Sequence, residues 1–166
     1  MPEQMTESTV STAPERGGKY LTFVLSKEEY GVNILCVREI IGIMDITTVP
    51  QTPQFVKGVI NLRGKIIPVI DLRLKFDMPE KTADKETCII VVETKETLMG
   101  VMVDTVSEVM DIDAAQIEDA PSFGTQIDTS FIRGMGKVNG KVKILLDIEK
   151  VLSSEELVLV RNMADE

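Results

Sequence analysis

The 166-residue chain contains no histidine. That absence removes Ser/His and Cys/His nucleophilic systems and imidazole metal ligation in one step. Cysteine occurs only at Cys36 and Cys88, far apart, among apolar neighbours and without a CxxC pair. Buried free thiols are therefore expected rather than a disulfide framework. Aromatics make up 4% of residues and tryptophan is missing, so the stacking platforms that hold single-stranded nucleic acid are scarce. No apolar run approaches the roughly 18 residues of a membrane span, and no basic start followed by an apolar stretch marks a signal peptide. A soluble, cytoplasmic protein with no membrane insertion is expected. Basic charge is outnumbered, with Lys+Arg 18 against Asp+Glu 27 and a net charge of −9. That balance opposes general nucleic-acid binding, which depends on neutralising phosphates. Lys57, Arg63, Lys65, Arg73 and Lys75 form a local basic exception, with Asp71 and Asp77 among them. A solvated rim and a docking face for an acidic partner both fit that cluster.

What is present is 43% hydrophobic residues, mostly Val, Ile, Leu and Met, a composition that suits strands. It is also an internal repeat. Phe55–Leu72 (FVKGVINLRGKIIPVIDL) lies over Phe131–Ile148 (FIRGMGKVNGKVKILLDI) without gaps. Phe55/Phe131, Gly58/Gly134, Gly64/Gly140, Lys65/Lys141 and Asp71/Asp147 coincide. A second match, at a slightly different offset, relates Gly31-Val32, Val37, Glu39 and Ile40 to Gly100-Val101, Val106, Glu108 and Val109. The loop over 111–129 absorbs the difference.

The residues predict the elements. Tyr20–Leu25 and Tyr30–Ile34 read as a hairpin without an Asn-Gly turn. Val37–Met44 is extended, with Gly42 as a bulge. Thr52-Pro53 reads as the cap and first residue of a one-turn helix closed by Gly58. Arg63-Gly64 joins two strands, and Pro68 belongs at an edge or bulge. Asp71 and Asp147 cap short turns. Cys88–Val92 and Leu98–Val103 are strands, and Ser153 with Glu156 forms a capping box opening a C-terminal helix over 154–163. Each half so predicted has on the order of 65 residues, near the lower limit for an independent core. The halves should therefore pack together around a shared apolar layer. The prediction is a mainly β protein of small closed or nearly closed barrels: residues 1–18 a disordered tail, one subdomain over about 19–80 and a second over about 86–150.

Catalytic motifs are sought without success. Gly134–Lys137 has neither the spacing nor the following helix of a phosphate loop. Asp111-Ile112-Asp113 lacks the glycine and the terminal glutamate of a calcium loop. A carboxylate-only hydrolase is left open by the histidine count, but Asp71 and Asp147 stand where aspartate usually caps. No cofactor motif is present. The odd features are polar: Glu39 between Val37 and Ile40, its counterpart Glu108, and Arg63 at a hairpin tip. Glu39 either points to solvent or shares an apolar docking face with Val37, where Arg63 would pair with it and orient a partner.

The strings EEYGVNILCVREI, TPQFVKGVINLRGKIIPVIDLR, GVMVDTVSEV and LLDIEKVLSSEE resemble the CheW family of bacterial chemotaxis coupling proteins, over about Lys19 to Leu159. The resemblance implies a CheW-like domain over 19–159, built of two SH3-like five-stranded β-barrel subdomains, and it allows the chain to cross between halves near its ends. It implies a non-enzymatic adaptor without cofactors. The partners would be the cytoplasmic tip of methyl-accepting chemotaxis receptors, the regulatory domain of the histidine kinase CheA, and other CheW-like domains in array rings. Carried over position by position, the receptor-binding set is Val37, Glu39, Gly58, Arg63, Gly100 and Val109, with Arg63 and Glu39 also tied to kinase control. A freestanding kinase fragment, a coupling protein with a receiver domain, and a barrel enzyme or oligonucleotide-binding barrel are the competing readings.

Overall fold

The structure is a computed structural model and describes residues 16–121 and 129–164. The disordered tail expected over 1–18 lies almost wholly outside the described residues. The chain is mainly β. It runs β1 (Gly18–Leu25), β2 (Glu28–Asn33), β3 (Val37–Gly42), β4 (Val56–Leu62), β5 (Lys65–Asp71), α1 (Leu72–Lys75), β6 (Cys88–Glu93) and β7 (Leu98–Val103). It continues through β8 (Thr105–Ile112), β9 (Ile117–Glu118), β10 (Ile132–Val138), β11 (Lys141–Leu146), α2 (Ile148–Val151) and α3 (Ser154–Ala164).

Three two-residue turns close hairpins, and each turn has both residues in the left-handed region. They are Ser26 and Lys27 (φ 50° and 75°), Arg63 and Gly64 (53° and 88°), and Asn139 and Gly140 (53° and 77°). Paired left-handed residues match the twist of the flanking strands, so Ser26-Lys27 makes the turn that Asn-Gly usually makes. Asp71 caps α1 by accepting from the Arg73 N–H at 2.9 Å, and Asp147 caps α2 through the Glu149 N–H at 3.0 Å. The Ser153/Glu156 box forms in both directions, at 2.8 and 3.1 Å.

The strands make two sheets, ordered β3-β6-β7-β5-β4 and β8-β1-β2-β11-β10-β9. The division expected at residue 80 is not how they assemble. Each sheet takes its leading hairpin from one half and its remaining strands from the other. The reason is link length. In either sheet the hairpin's second strand would run parallel to the strand that follows it in sequence, two places away. A parallel return needs a dozen or more residues. The β2–β3 link is a single 3-10 turn, Ile34–Cys36, and the β7–β8 link is Asp104 alone. Neither can return, so each hairpin runs straight on into the opposite sheet.

The exchange preserves the repeat. Leu145 lies opposite Gly31 in the parallel β11–β2 seam, and the corresponding Val69 lies opposite Gly100 in the β5–β7 seam. Closure is repeated too. Thr47 bridges to Val59 on β4, and Glu118 on β9 bridges to the matching Met135 on β10. The second bridge extends to two residues and adds a sixth strand to that sheet. Pro68 precedes the first β5–β7 partner, Val69.

Two local expectations fail. Residues 53–56 form a turn leading into β4, Val56 N–H to Pro53 O at 3.0 Å, and not a helix. The Phe55 carbonyl is taken by the Asp71 N–H at 2.7 Å, and Gly58 lies inside β4 at a register shift. A strand ladder and a buried phenylalanine thus override a local cap signal. Gly42 is regularly paired with Cys88, and the bulge sits between Val37 and Glu39.

Strand alternation sorts the core. Ile89 and Val91 face one barrel interior with Ile60, Ile67 and Val69. Tyr20, Ile112, Ile117 and Leu145 fill the other. Leu21, Phe23, Leu25, Ile90 and Val92 point into a larger layer between the barrels. That layer also receives Leu157, Val160 and Met163 from α3. Both cysteines are free, and burial pushes the Cys36 thiol up to about 11. At the bulge between Leu21 and Phe23, buried Thr22 replaces a strand partner by accepting from Glu108 N–H and donating to Glu108 O.

The Asp104 link is pinned. Arg73 reaches it with two guanidinium nitrogens at 2.7 and 2.8 Å, and the Ser26 N–H of the first hairpin turn donates to it at 3.0 Å. Burial alone would raise the Asp104 carboxyl, but the Arg73 and Ser26 donors outweigh it and hold it below the ordinary range. Asp104→Asn should cost about 2 kcal/mol at neutral pH in urea unfolding, the scale of a hydrogen bond to a charged group. A depressed folded pKa contributes stability above the unfolded value that is lost as pH falls through the folded one. The difference between the chains should therefore narrow below about pH 4.

Candidate docking surface

β3 forms one end of its sheet and pairs on one side with β6. Val37, Glu39 and Ile41 are half-buried, while Arg38, Ile40 and Gly42 are exposed. Glu39 therefore shares the inward face of β3 and does not simply point into solvent. Ile41 packs against the barrel interior, and Glu39 reaches the rim, where its carboxylate pairs with the Arg63 guanidinium. Arg63 is presented by the β4–β5 turn, which the Asn61 side chain holds by accepting from the Gly64 N–H at 2.8 Å. Its side chain remains 69% exposed, so it is available to a partner while fixed at its base.

The second barrel lacks this arrangement. Asn139 stands at the position of Arg63, and Lys137 at that of Asn61, where it pairs with Glu118. Among the described residues Glu108, the counterpart of Glu39, has no ion-pair partner. The ion pair thus marks one barrel of two with nearly the same backbone.

Where β2 leaves one sheet for the other, Leu35 on the link is 89% exposed. It borders a groove of 450 Å³ between the barrels, with Glu93, Thr94 and Lys95 on one wall and Ile148 and Glu149 on the other. Arg38 pairs with Glu93 at 2.8 Å at the head of this groove. Val37 lies opposite Val92, beside it. No sequence argument singled out Leu35. The signal would have been the link itself, since an apolar residue in a three-residue crossing has no strand face to hide on.

The carried-over residues divide on inspection. Glu39 and Arg63 pair on the rim of one barrel. The bulge turns Val37 to the other face of β3, opposite Val92 and against the layer between the barrels, so Glu39 does not share the docking face with Val37 that the sequence suggested. Val109 is 48% exposed on β8 in the other sheet. Gly58 and Gly100 are buried. A Cβ on Gly58 would lie 2.0 Å from the Thr47 carbonyl oxygen, and its φ is +142°. A Cβ on Gly100 would meet Ile89 Cγ2 at 2.7 Å. Both glycines are demanded by backbone closure and strand packing.

Four of the five cations of the basic run stand in ion pairs: Lys57–Glu80 at 2.7 Å, Arg63–Glu39, Arg73–Asp104 at 2.7 Å and Lys75–Glu156 at 2.8 Å. Lys65, the fifth cation of the run, is exposed and has no ion pair among the described residues. Asp71 and Asp147 are spent on capping. Burial pushes the Asp71 carboxyl up, and the Leu74 and Arg73 N–H groups partly counter it. Gly134–Lys137 is part of β10. Among the described residues no group of side chains could hold a metal ion, and no helix is long and apolar enough to cross a membrane.

The model of the CheW-like domain matches residues 19–156. The chain belongs to the CheW family. It is 45% identical over 148 residues to the chemotaxis protein CheW of Klebsiella aerogenes, covering 89% of each chain. It is 34% identical over 140 residues to that of Bacillus subtilis, covering 84% of this chain and 89% of the relative. The crystal structure of the scaffolding protein TtCheW from Thermoanaerobacter tengcongensis superposes with a TM-score of 0.76 at 39% identity. That match covers 84% of this chain and 95% of the other.

The contrast between glycines and charged residues is testable by stability. Gly58→Ala should lower stability by about 3 kcal/mol or more, the upper end for a non-glycine residue in a disfavoured backbone region. Glu39→Lys, which replaces a solvent-exposed ion pair with two like charges free to move apart in solvent, should change it by no more than about 1 kcal/mol. Thermal melting of the two variants checks the difference.

Proposed function

We propose that the chain is a non-enzymatic chemotaxis adaptor. It couples methyl-accepting receptors to the histidine kinase CheA in arrays at the inner face of the membrane. The observation that carries the reading is the Glu39–Arg63 pair on the rim of one barrel, in a chain that matches CheW proteins over nearly its whole length. An exposed pair contributes little to stability, so its value lies in orienting a partner.

The receptor tip, an antiparallel helical hairpin, lays an apolar ridge into the groove beside Leu35, a helix-in-groove mode. Leu35 and Val37 supply apolar contact, and Glu39 and Arg63 set the angle. Val109, on the other barrel, extends the contact across the pseudo-symmetric face. Gly58 and Gly100 serve docking only by holding the strands that present these side chains. The kinase regulatory domain and other CheW-like domains meet the barrels elsewhere and complete the rings. Control of the kinase requires that the adaptor contact two receptor states differently, because equal affinity for both would shift nothing.

Co-sedimentation with receptor cytoplasmic fragments and CheA, together with a kinase autophosphorylation assay, tests this. Leu35→Asp and Glu39→Lys should each weaken receptor binding about tenfold, equivalent to ~1.4 kcal/mol, with unchanged melting. Arg63→His should remain folded and lose receptor control of the kinase. A chain that binds neither receptor nor kinase rules the reading out.

A further inference from the structure

Each barrel is completed by a hairpin that arrives from the other half of the sequence and docks through a parallel seam. There are two hairpins and two seams in the same register, so each seam presents backbone partners that suit either hairpin. Parallel seams are also the weaker kind of pairing per residue. Link length prevents a hairpin from closing the wrong barrel within one chain. It does nothing to stop the first hairpin of one copy from docking on the second seam of another.

One position separates the seams. At the start of the β2–β11 ladder Glu29 lies opposite Lys143, and the Lys143 ammonium pairs with the Glu29 carboxylate. The Lys143 side chain is 7% exposed, and that of Glu29 is 30% exposed. The corresponding residues of the other barrel are Leu98 and Ile67, which lie two places before the first pair of its seam, Val69 opposite Gly100. Ile67 is 2% exposed and belongs to the barrel interior. The repeat thus places an ion pair in one barrel where the other has two aliphatic side chains.

The structure assigns Glu29–Lys143 as the key that admits the β1–β2 hairpin to its own barrel and rejects exchange with the wrong seam of a second copy. Crossed docking would lay Glu29 against Ile67, or Leu98 against Lys143. Either leaves a charge covered by apolar surface without its partner, which is far more costly than a matched pair. A matched pair with one partner buried and the other half-buried adds little net stability over aliphatic residues of similar size, so discrimination between seams is the role left to it. The mode is like that of a single buried polar residue that fixes register in a coiled coil.

Refolding from urea over a range of protein concentrations, followed by size-exclusion chromatography with light scattering, tests this. Glu29→Leu combined with Lys143→Ile makes both seams aliphatic. The expected result is a several-fold larger share of dimers and higher species than the unmodified chain gives, rising with concentration, beside a monomer with native circular dichroism. The reversed pair, Glu29→Lys with Lys143→Glu, should return that share to the unmodified level. Equal shares for the aliphatic variant and the unmodified chain would overturn the proposal. A second arm holds if the aliphatic variant does not fold. Glu29→Lys alone and Lys143→Glu alone each oppose like charges across the seam. Refolded together, they should give a mixed dimer that neither gives by itself, and the absence of that dimer would equally overturn the assignment.

Discussion

Two links govern this molecule: the three residues Ile34–Cys36 and the single residue Asp104. Neither can carry the chain back along a sheet to start a parallel strand. Everything else follows from that. The hairpins pass into opposite barrels, and the strands beyond the links begin where the hairpins leave off. The apolar layer between the barrels is stitched by backbone on both sides. Arg73 and Ser26 converge on Asp104 because the crossing there has no length to spare.

Most elements were legible in the chain, because turn and cap chemistry is local. Asp71 and Asp147 cap as their positions suggest, and Ser153 with Glu156 opens the final helix. The Arg63-Gly64 and Asn139-Gly140 turns stand where the repeat places them. What failed was tertiary. Thr52-Pro53 carries a sound helix-start signal, yet Phe55 must enter the core and give its carbonyl to Asp71. Gly42 looked like a bulge, but a bulge is set by how two strands register, and that was decided at Val37–Glu39. The assignment of hairpins to barrels was in principle readable from link length. It was obscured because a sequence repeat invites the view that each copy folds on itself.

The proposed docking surface was legible in its charged part and not in its apolar part. Glu39 and Arg63 draw notice as polar residues in an apolar setting, and the structure pairs them. Leu35 carries no such mark, since exposure is not a property of residue type. Gly58 and Gly100 were grouped with the surface residues, but the Thr47 carbonyl and the Ile89 side chain account for them. The two copies of the repeat diverge where their surroundings differ. Arg63 pairs with Glu39 while an uncharged Asn139 stands at its place in the other copy, and Lys143 meets Glu29 where Ile67 and Leu98 stand in the twin.

A hinge needs a few residues free to absorb large backbone rotations. Between these barrels the connecting residues are flanked at once by paired strands, and one of them is held by a half-buried guanidinium. The link at Leu35 exposes its side chain, but its neighbours Asn33 and Val37 are already fixed in two different sheets. Such a body does not bend at the waist. Whatever is felt on one face is transmitted as rotation or displacement of the whole, as through a rigid lever whose two arms share a backbone.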